Sequence, residues 1–215
     1  QQWFYNRYDF SLYSNFTFFK EDSIQGDKIH QQEGRNIVGY KNSYKQTHHM
    51  GTKVVLSEIG LQWRGDFTQG TKLNYVTPSN QINKPLALGD IIENNVSVYI
   101  NETFEWTPSL TVNLGLRQDV FMFKYKNTLT NEMGLRTKSI FSPKLNINYK
   151  HSANTDFFLQ TGKGFHSNDT RVVIANRGQQ ILPAAYGAEV GLNTKLLSSI
   201  RITASLWWLH LQQEF

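Results

Sequence analysis

The sequence predicts an all-β protein, and more narrowly an antiparallel transmembrane β-barrel of which this chain forms a part. Two observations favour this fold: apolar and polar side chains alternate over long runs, and the connections between those runs alternate between long and short. In the first run of segment 94–120, one face is apolar apart from Glu102. Its apolar members are Val96, Val98, Ile100, Phe104 and Trp106. Successive side chains of a strand point to opposite faces, so such a run has one apolar and one polar side.

The first three predicted strands repeat this pattern less strictly. Residues 4–18 predict a strand whose apolar face consists of Phe4, Tyr8, Phe10, Leu12, Phe16 and Phe18. The opposite face consists of Arg7, Asp9, Ser11, Asn15 and Thr17. A polar loop over 20–33 then leads to a weaker strand over 34–46. The third strand, residues 52–65, places on one face Val55, Ile59, Leu61 and Trp63.

Six further runs complete the predicted sheet. They lie at 94–106, 110–123, 141–150, 156–165, 184–196 and 200–215. The total of nine strands is odd, and both outermost strands would be open edges, which folded proteins avoid. The sequence therefore predicts a piece of a larger barrel.

The connections between these runs fall into two classes. Short turns are predicted at 47–51, 107–109, 151–154 and 197–199, and long loops at 20–33, 66–89, 124–137 and 167–183. Outer-membrane barrels have short periplasmic turns and long extracellular loops. The face that carries the apolar side chains then contacts lipid, and the opposite, polar face lines a water-filled interior. Trp106 and Tyr149 lie beside short turns, where an interfacial aromatic girdle belongs.

Composition excludes several other classes. No segment of the 215 residues approaches the roughly 20 consecutive apolar residues of a membrane helix. Cysteine is absent, so no disulfide or thiolate site forms within these residues. The net charge of +5 is scattered along the chain, whereas nucleic-acid binders cluster their basic residues. We find no nucleophile–base pair and no metal-binding pattern, so we expect no catalytic residue, no cofactor and no metal site.

Polar residues on the predicted interior face are the candidates for lining the barrel interior and holding a plug. They are Tyr99, Glu105, Asn113, Arg117, Asp119, Lys144, Asn146, Gln160, Glu189 and Arg201. A second group lies in the loop after the seventh strand and contains candidates for ligand contact from the extracellular side. Its members are His166, Asn168, Asp169, Arg171 and Arg177. Loops on a rigid scaffold commonly carry binding groups, although a role in ordering the loop is the alternative for each of them.

Five sequence blocks resemble the barrel of TonB-dependent outer-membrane receptors. They are QDVF (118–121), FSPKLNINY (141–149), TGKGFHSNDTR (161–171), LPAAYGAEVGLNTKL (182–196) and ITASLWWLHLQQEF (202–215). The blocks occur in the family's order within residues 94–215, and the first 90 residues match only in architecture. The resemblance implies a 22-stranded barrel closed by an N-terminal plug, with residues 1–215 forming part of the barrel. The plug and the remaining strands lie outside this chain.

The resemblance also implies a function. Family members sit in the outer membrane of Gram-negative bacteria and import a scarce small-molecule nutrient, such as a ferric siderophore or cobalamin. Their partners are outer-membrane lipid, their own plug domain, and the TonB complex, which pulls on a short N-terminal box. Nucleic acid is not an expected partner. Two alternatives stay open at this point: a passive porin-like channel and a soluble glycan-binding β-sandwich, whose core strands also alternate.

Overall fold

The computed structural model describes residues 1–20, 22–24, 26–51, 53–175, 181–197 and 199–212. These residues form a single antiparallel sheet of nine strands, in which each strand pairs with the next one along the chain. The strands are β1 (Gln2–Ser14), β2 (Ile29–Met50), β3 (Lys53–Val76), β4 (Ile82–Thr107), β5 (Leu110–Asn127), β6 (Met133–Lys150), β7 (Thr155–Phe165), β8 (Ala184–Leu196) and β9 (Ile200–Leu211). One short helix, α1 (Thr170–Ala175), precedes β8.

This topology confirms the prediction of nine antiparallel strands in a partial barrel. The described residues contain one sheet only, so they offer no second layer for the core of a β-sandwich. Strands β1 and β9 are the two ends of the strand order. Among the described residues, no helix has the length and apolarity needed to cross a membrane.

Two of the predicted long loops are wrong, because the strands continue through them. β3 runs to Val76 and β4 begins at Ile82, so residues 77–81 alone connect them. Similarly, β5 ends at Asn127 and β6 begins at Met133. Positive-φ asparagines, Asn80 at 66° and Asn131 at 56°, make these tight turns.

The physical reason for this error is that strand pairing is a property of the backbone. The apolar alternation marks a strand only where one face is consistently apolar, and it fades where apolar and polar side chains are mixed on both faces. Bulges between Thr68 and Thr71 interrupt the β3–β4 ladder without ending it. β2 likewise extends beyond the predicted 34–46 at both ends, into the predicted loop 20–33 and the predicted turn 47–51.

Short connections lie at the predicted end of the sheet, although the turn predicted at 47–51 is narrowed because β2 runs to Met50 and β3 begins at Lys53. Beside them, the Lys53 ammonium lies 3.6 Å from the centroid of the Trp106 ring, a cation–π contact that joins the start of β3 to the end of β4. Tyr149 lies at the corresponding end of β6. The loop predicted at 167–183 is also present, and it contains α1.

Register divides the sheet into two faces. Side chains of directly paired residues lie on the same side, so the pairs Ile59–Ile100 and Ile100–Leu116 define one face, called here the apolar face. The neighbouring pairs Gln62–Ser97 and Ser97–Asp119 define the polar face. Large side chains of the apolar face remain uncovered; 52% of Val98 is exposed. A contiguous exposed apolar surface of this kind marks contact with lipid or protein.

The predicted orientation of β1 is wrong. Its register pairs Phe4 with Gly39 and Tyr8 with Arg35, and both partners lie on the polar face. The apolar side chains of β1 therefore share a side with the polar lining, and the Phe4 ring covers Gly39. The register of β1 decides this face, because its even-numbered residues pair with odd-numbered residues of β2, which lie on the polar face.

An apolar cluster fixes the loop between β7 and β8 onto the polar face. Its buried members are Phe121, Phe123, Ile140, Val173, Ile181, Leu182 and Ala184. Phe123 is fully buried, and Val173 of α1 is 1% exposed. On β5 the side chains of the polar face therefore become apolar beyond Asp119. A folded segment rather than water covers this part of the face.

Glycines on the polar face provide room for larger neighbours. A Cβ added at Gly60 would overlap the Tyr99 ring, so the glycine leaves room for that ring. The same position on β7, Gly164, has open space around it. The two glycines therefore differ in what a side chain would meet.

We expect Gly60→Val to push Tyr99 aside and to destabilise the full-length protein by about 1–3 kcal/mol, the usual cost of overpacking. The measurement is the urea midpoint of the folded, detergent-solubilised protein. Gly164→Ala is the matched control and should leave the midpoint unchanged. Equal midpoints for wild type and Gly60→Val would contradict the packing described.

Candidate functional site

An arginine and an aspartate two residues apart occur three times in the described strands. The pairs are Arg7–Asp9, Arg64–Asp66 and Arg117–Asp119. Alternation places residues i and i+2 on one face, so each pair can form a salt bridge within one strand. The second and third pairs lie on the polar face, and they build its two charged networks.

The Arg117–Asp119 network is the most buried. Arg117 Nε donates to Asp119 Oδ2 at 2.7 Å and Nη2 donates to Oδ1 at 2.8 Å. Asn95 adds a further donor to Asp119 Oδ1 at 3.2 Å, and Arg117 Nη1 donates to Gln62 Oε1 at 3.0 Å. The Asp119 side chain is only 1% exposed. These contacts join β3, β4 and β5 through side chains as well as backbone.

An uncharged row of amides follows nearer the short turns. Asn113 Nδ2 donates to Asn101 Oδ1 at 3.1 Å and to Thr103 Oγ1 at 2.8 Å. Asn146 Nδ2 in turn donates to Asn113 Oδ1 at 3.1 Å. Two of the predicted interior residues, Asn113 and Asn146, are thus brought together by the register of β5 and β6.

Tyr99 links a third group on the same face. Its hydroxyl donates to Glu58 Oε1 at 2.9 Å, and Lys45 lies 3.2 Å from Glu58 Oε2. Glu58 therefore holds a tyrosine and a lysine from the strands on either side of it. Neither Lys45 nor Glu58 was among the predicted residues.

The remaining five predicted interior residues also lie on the polar face by register. They are Glu105, Lys144, Gln160, Glu189 and Arg201. Gln160 pairs with Asn146 on one side and with Glu189 on the other, so the row continues from β6 to β8. All ten predicted residues therefore share one face. Their contact with a plug stays a prediction.

A cavity of about 360 Å³ opens on the polar face, on the side of the Arg117–Asp119 network that is farther from the short turns. Its charged lining comprises Arg35, Arg64, Asp66 and Glu93, and residues 167–170 form another wall. Arg64 binds Asp66 with two hydrogen bonds of 2.8 Å, and Arg35 Nη1 lies 3.7 Å from Asp66. The cavity thus presents fixed charges of both signs.

The loop wall of this cavity is tied to the sheet. Thr170 Oγ1 donates to Glu93 Oε2 at 3.3 Å, and the Asn168 backbone N–H donates to the Ile181 carbonyl at 3.2 Å. Asp169 begins α1: its Oδ1 accepts from the Arg171 backbone N–H at 2.8 Å, and its Oδ2 lies 2.7 Å from Arg171 Nη2. This carboxylate raises the pKa of the Arg171 guanidinium.

The predicted loop residues therefore differ in where they lie. Asn168 and Asp169 line the cavity, whereas Arg171 orders the start of α1 through Asp169. His166 is exposed at the end of β7. Arg177 lies outside the described residues.

Sequence reasoning missed the charged residues of the cavity. Asp66 and Glu93 fell in or beside the predicted loop 66–89, and Arg35 lay in a strand of weak pattern. One signal was available: the spacing of Arg64 and Asp66 repeats that of Arg117 and Asp119, which were predicted. The cavity itself depends on the long-range return of residues 167–170, which no local pattern encodes.

The arrangement is suited to binding. Arg64 is paired with Asp66 within β3, Arg35 is paired with the same carboxylate from β2, and Glu93 accepts a hydrogen bond from Thr170. Within the described residues no group of three His, Asp or Glu side chains could hold a metal ion. Paired charges and amides on a rigid sheet can recognise a polar ligand or another protein surface.

Comparison with known proteins gives a family match over almost the whole chain. The family described as TonB dependent receptor-like, beta-barrel matches residues 1–214. The match thus extends over the first 90 residues, where the sequence blocks had indicated architecture alone. Among curated proteins, no significant match is found.

Solved structures with the same fold include three iron-uptake proteins. The unliganded ferric citrate transporter FecA is 15% identical, with a TM-score of 0.82, over 97% of this chain and 31% of that one. The ferric-catecholate import receptor Fiu from E. coli K12 is 12% identical, with a TM-score of 0.66, over 94% and 37%. The ferric yersiniabactin uptake receptor FyuA from Yersinia pestis is 12% identical, with a TM-score of 0.63, over 97% and 33%. The chain thus spans about a third of each of these structures, and at these identities the likeness shows the fold alone.

The buried and exposed Arg-X-Asp pairs should differ sharply in stability. Asp119→Ala leaves Arg117 and Asn95 without their acceptor in a buried network, so we expect a loss of about 3 kcal/mol, the lower part of the range for breaking a buried pair. Asp9→Ala is the matched control: the Asp9 side chain is 71% exposed, and such pairs contribute about 0–1 kcal/mol. Urea midpoints of the full-length protein measure both changes. Equal losses for the two variants would be inconsistent with the burial described.

Proposed function

Because the chain belongs to the TonB-dependent receptor β-barrel family, we propose that the full-length protein is an outer-membrane receptor for energised uptake of a scarce nutrient. Structural relatives support this proposal. They are named as a ferric citrate transporter, a ferric-catecholate import receptor and a ferric yersiniabactin uptake receptor. A ferric siderophore or a comparable metal chelate is the substrate class we propose.

The observation that carries the proposal is the division of one sheet into an apolar and a polar face, with a charged cavity on the polar one. A closed barrel is the sheet that satisfies every backbone group in lipid. The apolar face then meets the outer-membrane lipid of a Gram-negative bacterium, and the polar face encloses the interior. A wide barrel needs a plug to prevent leakage.

In this proposal the part of the polar face near the short turns and the part that carries the cavity have different functions. The amide row of Asn101, Asn113 and Asn146 and the Tyr99–Glu58 pair hold the plug domain, through hydrogen bonds that a polar protein surface can match. The TonB complex acts on the N-terminal box that precedes this plug. Ligand reaches the cavity from the opposite end of the barrel.

The cavity residues supply ligand contacts in this proposal. Arg64 and Arg35 present guanidinium groups that bind carboxylate or catecholate oxygens; Asp66 orients both of them, and Glu33 also holds Arg35. Asn168 and Asp169 complete the wall from the loop side. Because the cavity lies on a sheet fixed by paired strands, its geometry requires little reorganisation when a ligand binds.

We expect Arg64→Ala to lower the apparent affinity for ligand about tenfold, because a charge-assisted hydrogen bond contributes about 1.5–3 kcal/mol. The measurement is concentration-dependent uptake of radiolabelled ferric siderophores by cells expressing the full-length protein. Arg7→Ala, from an exposed pair on the other face, is the matched control and should leave uptake unchanged.

The same assay distinguishes the receptor from a passive porin. Energised uptake should stop when a protonophore collapses the inner-membrane gradient or when the TonB complex is deleted. Uptake that continues at an equal rate in both conditions would overturn the proposal in favour of a passive channel.

A further inference from the structure

Glu93 differs from the other carboxylates that line the charged cavity, because no basic side chain of the described residues lies within salt-bridge distance of it. Its Oε2 accepts a hydrogen bond of 3.3 Å from the neutral Thr170 hydroxyl. In contrast, Asp66 binds Arg64 through two hydrogen bonds, and Asp169 binds an arginine of α1. Glu93 is therefore a carboxylate whose charge has no direct counter-charge.

The two arginines of the cavity already have carboxylate partners. Arg64 donates from Nε and Nη2 to Asp66, each at 2.8 Å. Arg35 donates from Nη2 to Glu33 at 3.0 Å, and its Nη1 lies 3.7 Å from Asp66. Because these two guanidinium groups balance two carboxylates, Glu93 remains as an excess negative charge of the cavity.

The register of the sheet places Glu93 opposite a second carboxylate. Glu93 on β4 pairs directly with Asp66 on β3, so both side chains lie on the polar face. Directly opposite residues have Cβ atoms about 4.5–5.5 Å apart, and like charges in these positions are destabilising. Glu93 lies outside the membrane-spanning part of β4 in the proposed function, because the apolar alternation of that strand begins at Val96. Burial, and then the charge of Asp66, raise the pKa of the Glu93 carboxyl.

Charged and titratable side chains surround Glu93 on the neighbouring strands and on the loop that covers it. They are Tyr8 on β1, Glu33 and Arg35 on β2, Arg64 and Asp66 on β3, Arg117, Asp119 and Tyr125 on β5, Asp169 before α1 and Arg171 within it. The direct neighbour of Glu93 on β5 is Phe123, which is fully buried and uncharged. Each of the four arginines lies within 3.0 Å of a carboxylate other than Glu93. Among these described residues, no arginine is left to neutralise Glu93.

We propose that an anionic ligand binds in this cavity together with one proton, which Glu93 takes up. An anion that reaches Arg64 and Arg35 adds negative charge beside two opposed carboxylates, and a nearby like charge favours the neutral form of a carboxyl group. The proton comes from water and adds to the Glu93 oxygen that does not accept from Thr170, with no change in oxidation state. The neutral carboxyl then donates its O–H to an oxygen of the ligand. This inference rests on the proposed function, which supplies the anionic class of ligand.

The affinity for such a ligand should rise as the pH falls. The complex holds the proton on Glu93 up to a higher pH than the empty cavity does, so the pKa of this carboxyl is higher in the complex. Between the two pKa values, each fall of one pH unit raises the association constant by up to about tenfold. Glu93→Gln imitates the neutral carboxyl, keeps an acceptor for Thr170 and should remove this dependence.

The test is a calorimetric titration of the full-length, detergent-solubilised protein at about pH 7, where an ordinary carboxyl group is ionised. The probes are ferric citrate and a ferric tricatecholate, each in Pipes and in Tris buffer. Because the two buffers absorb different heats when they release a proton, the difference between the titrations gives the number of protons taken up per ligand. We expect about one more proton for wild type than for Glu93→Gln.

A control variant and a second measurement complete the test. Subtraction of the Glu93→Gln value removes the protons that the chelate itself exchanges with the buffer. Glu132→Gln, in the exposed turn between β5 and β6, is the matched control and should keep the wild-type value. The wild-type dissociation constant at about pH 5.5 should be at least about threefold lower than at about pH 7.5, and this measurement needs no variant to fold.

Two results would overturn this inference alone. One is equal proton uptake by wild type and Glu93→Gln when a chelate binds. The other is an equal wild-type affinity for the bound chelate at the two pH values. If neither chelate binds at either pH, the proposed substrate class is overturned together with this inference.

Discussion

Backbone pairing between neighbouring antiparallel strands is the constraint on which this structure depends. Pairing fixes register, and register decides which side chains of nine strands share a face. A shift of one residue would move Asp119 from a buried network of hydrogen bonds to the side that carries Val98 and Leu116. The hydrogen bonds from Asn95 to Asp119 and from Asn146 to Asn113 cross between strands, and they stabilise the register that creates them.

The sequence contained most of the fold and part of the candidate site. Alternation over 94–120 and 141–149 was sufficient to predict strands, faces and short turns, because one side of those strands is apolar. The same alternation placed all ten predicted interior residues on a single face. It also identified Arg117 and Asp119, whose spacing of two residues makes an ion pair within a strand geometrically natural.

What could not be predicted depends on contacts between distant residues. The outer halves of β3 and β4 mix apolar and polar side chains on both sides and contain bulges, so pairing rather than pattern maintains them. The rings of Phe4 and Tyr8 lie on the polar face because β1 pairs with β2 in one register, which its composition does not reveal. The charged cavity exists because residues 167–170 return to the sheet, held by the apolar cluster around Phe123.

The central claim is that one sheet separates a lipid-facing side from a wet interior. Its most direct test is a cysteine scan of residues 110–120 in the full-length protein, labelled in intact membranes with a water-soluble thiol reagent. We predict reactivity with a period of two, high at polar-face positions outside the proposed plug contact, such as Thr111, and low at Leu114 and Leu116. Uniform reactivity along the strand, or the opposite phase, would contradict the assignment of faces.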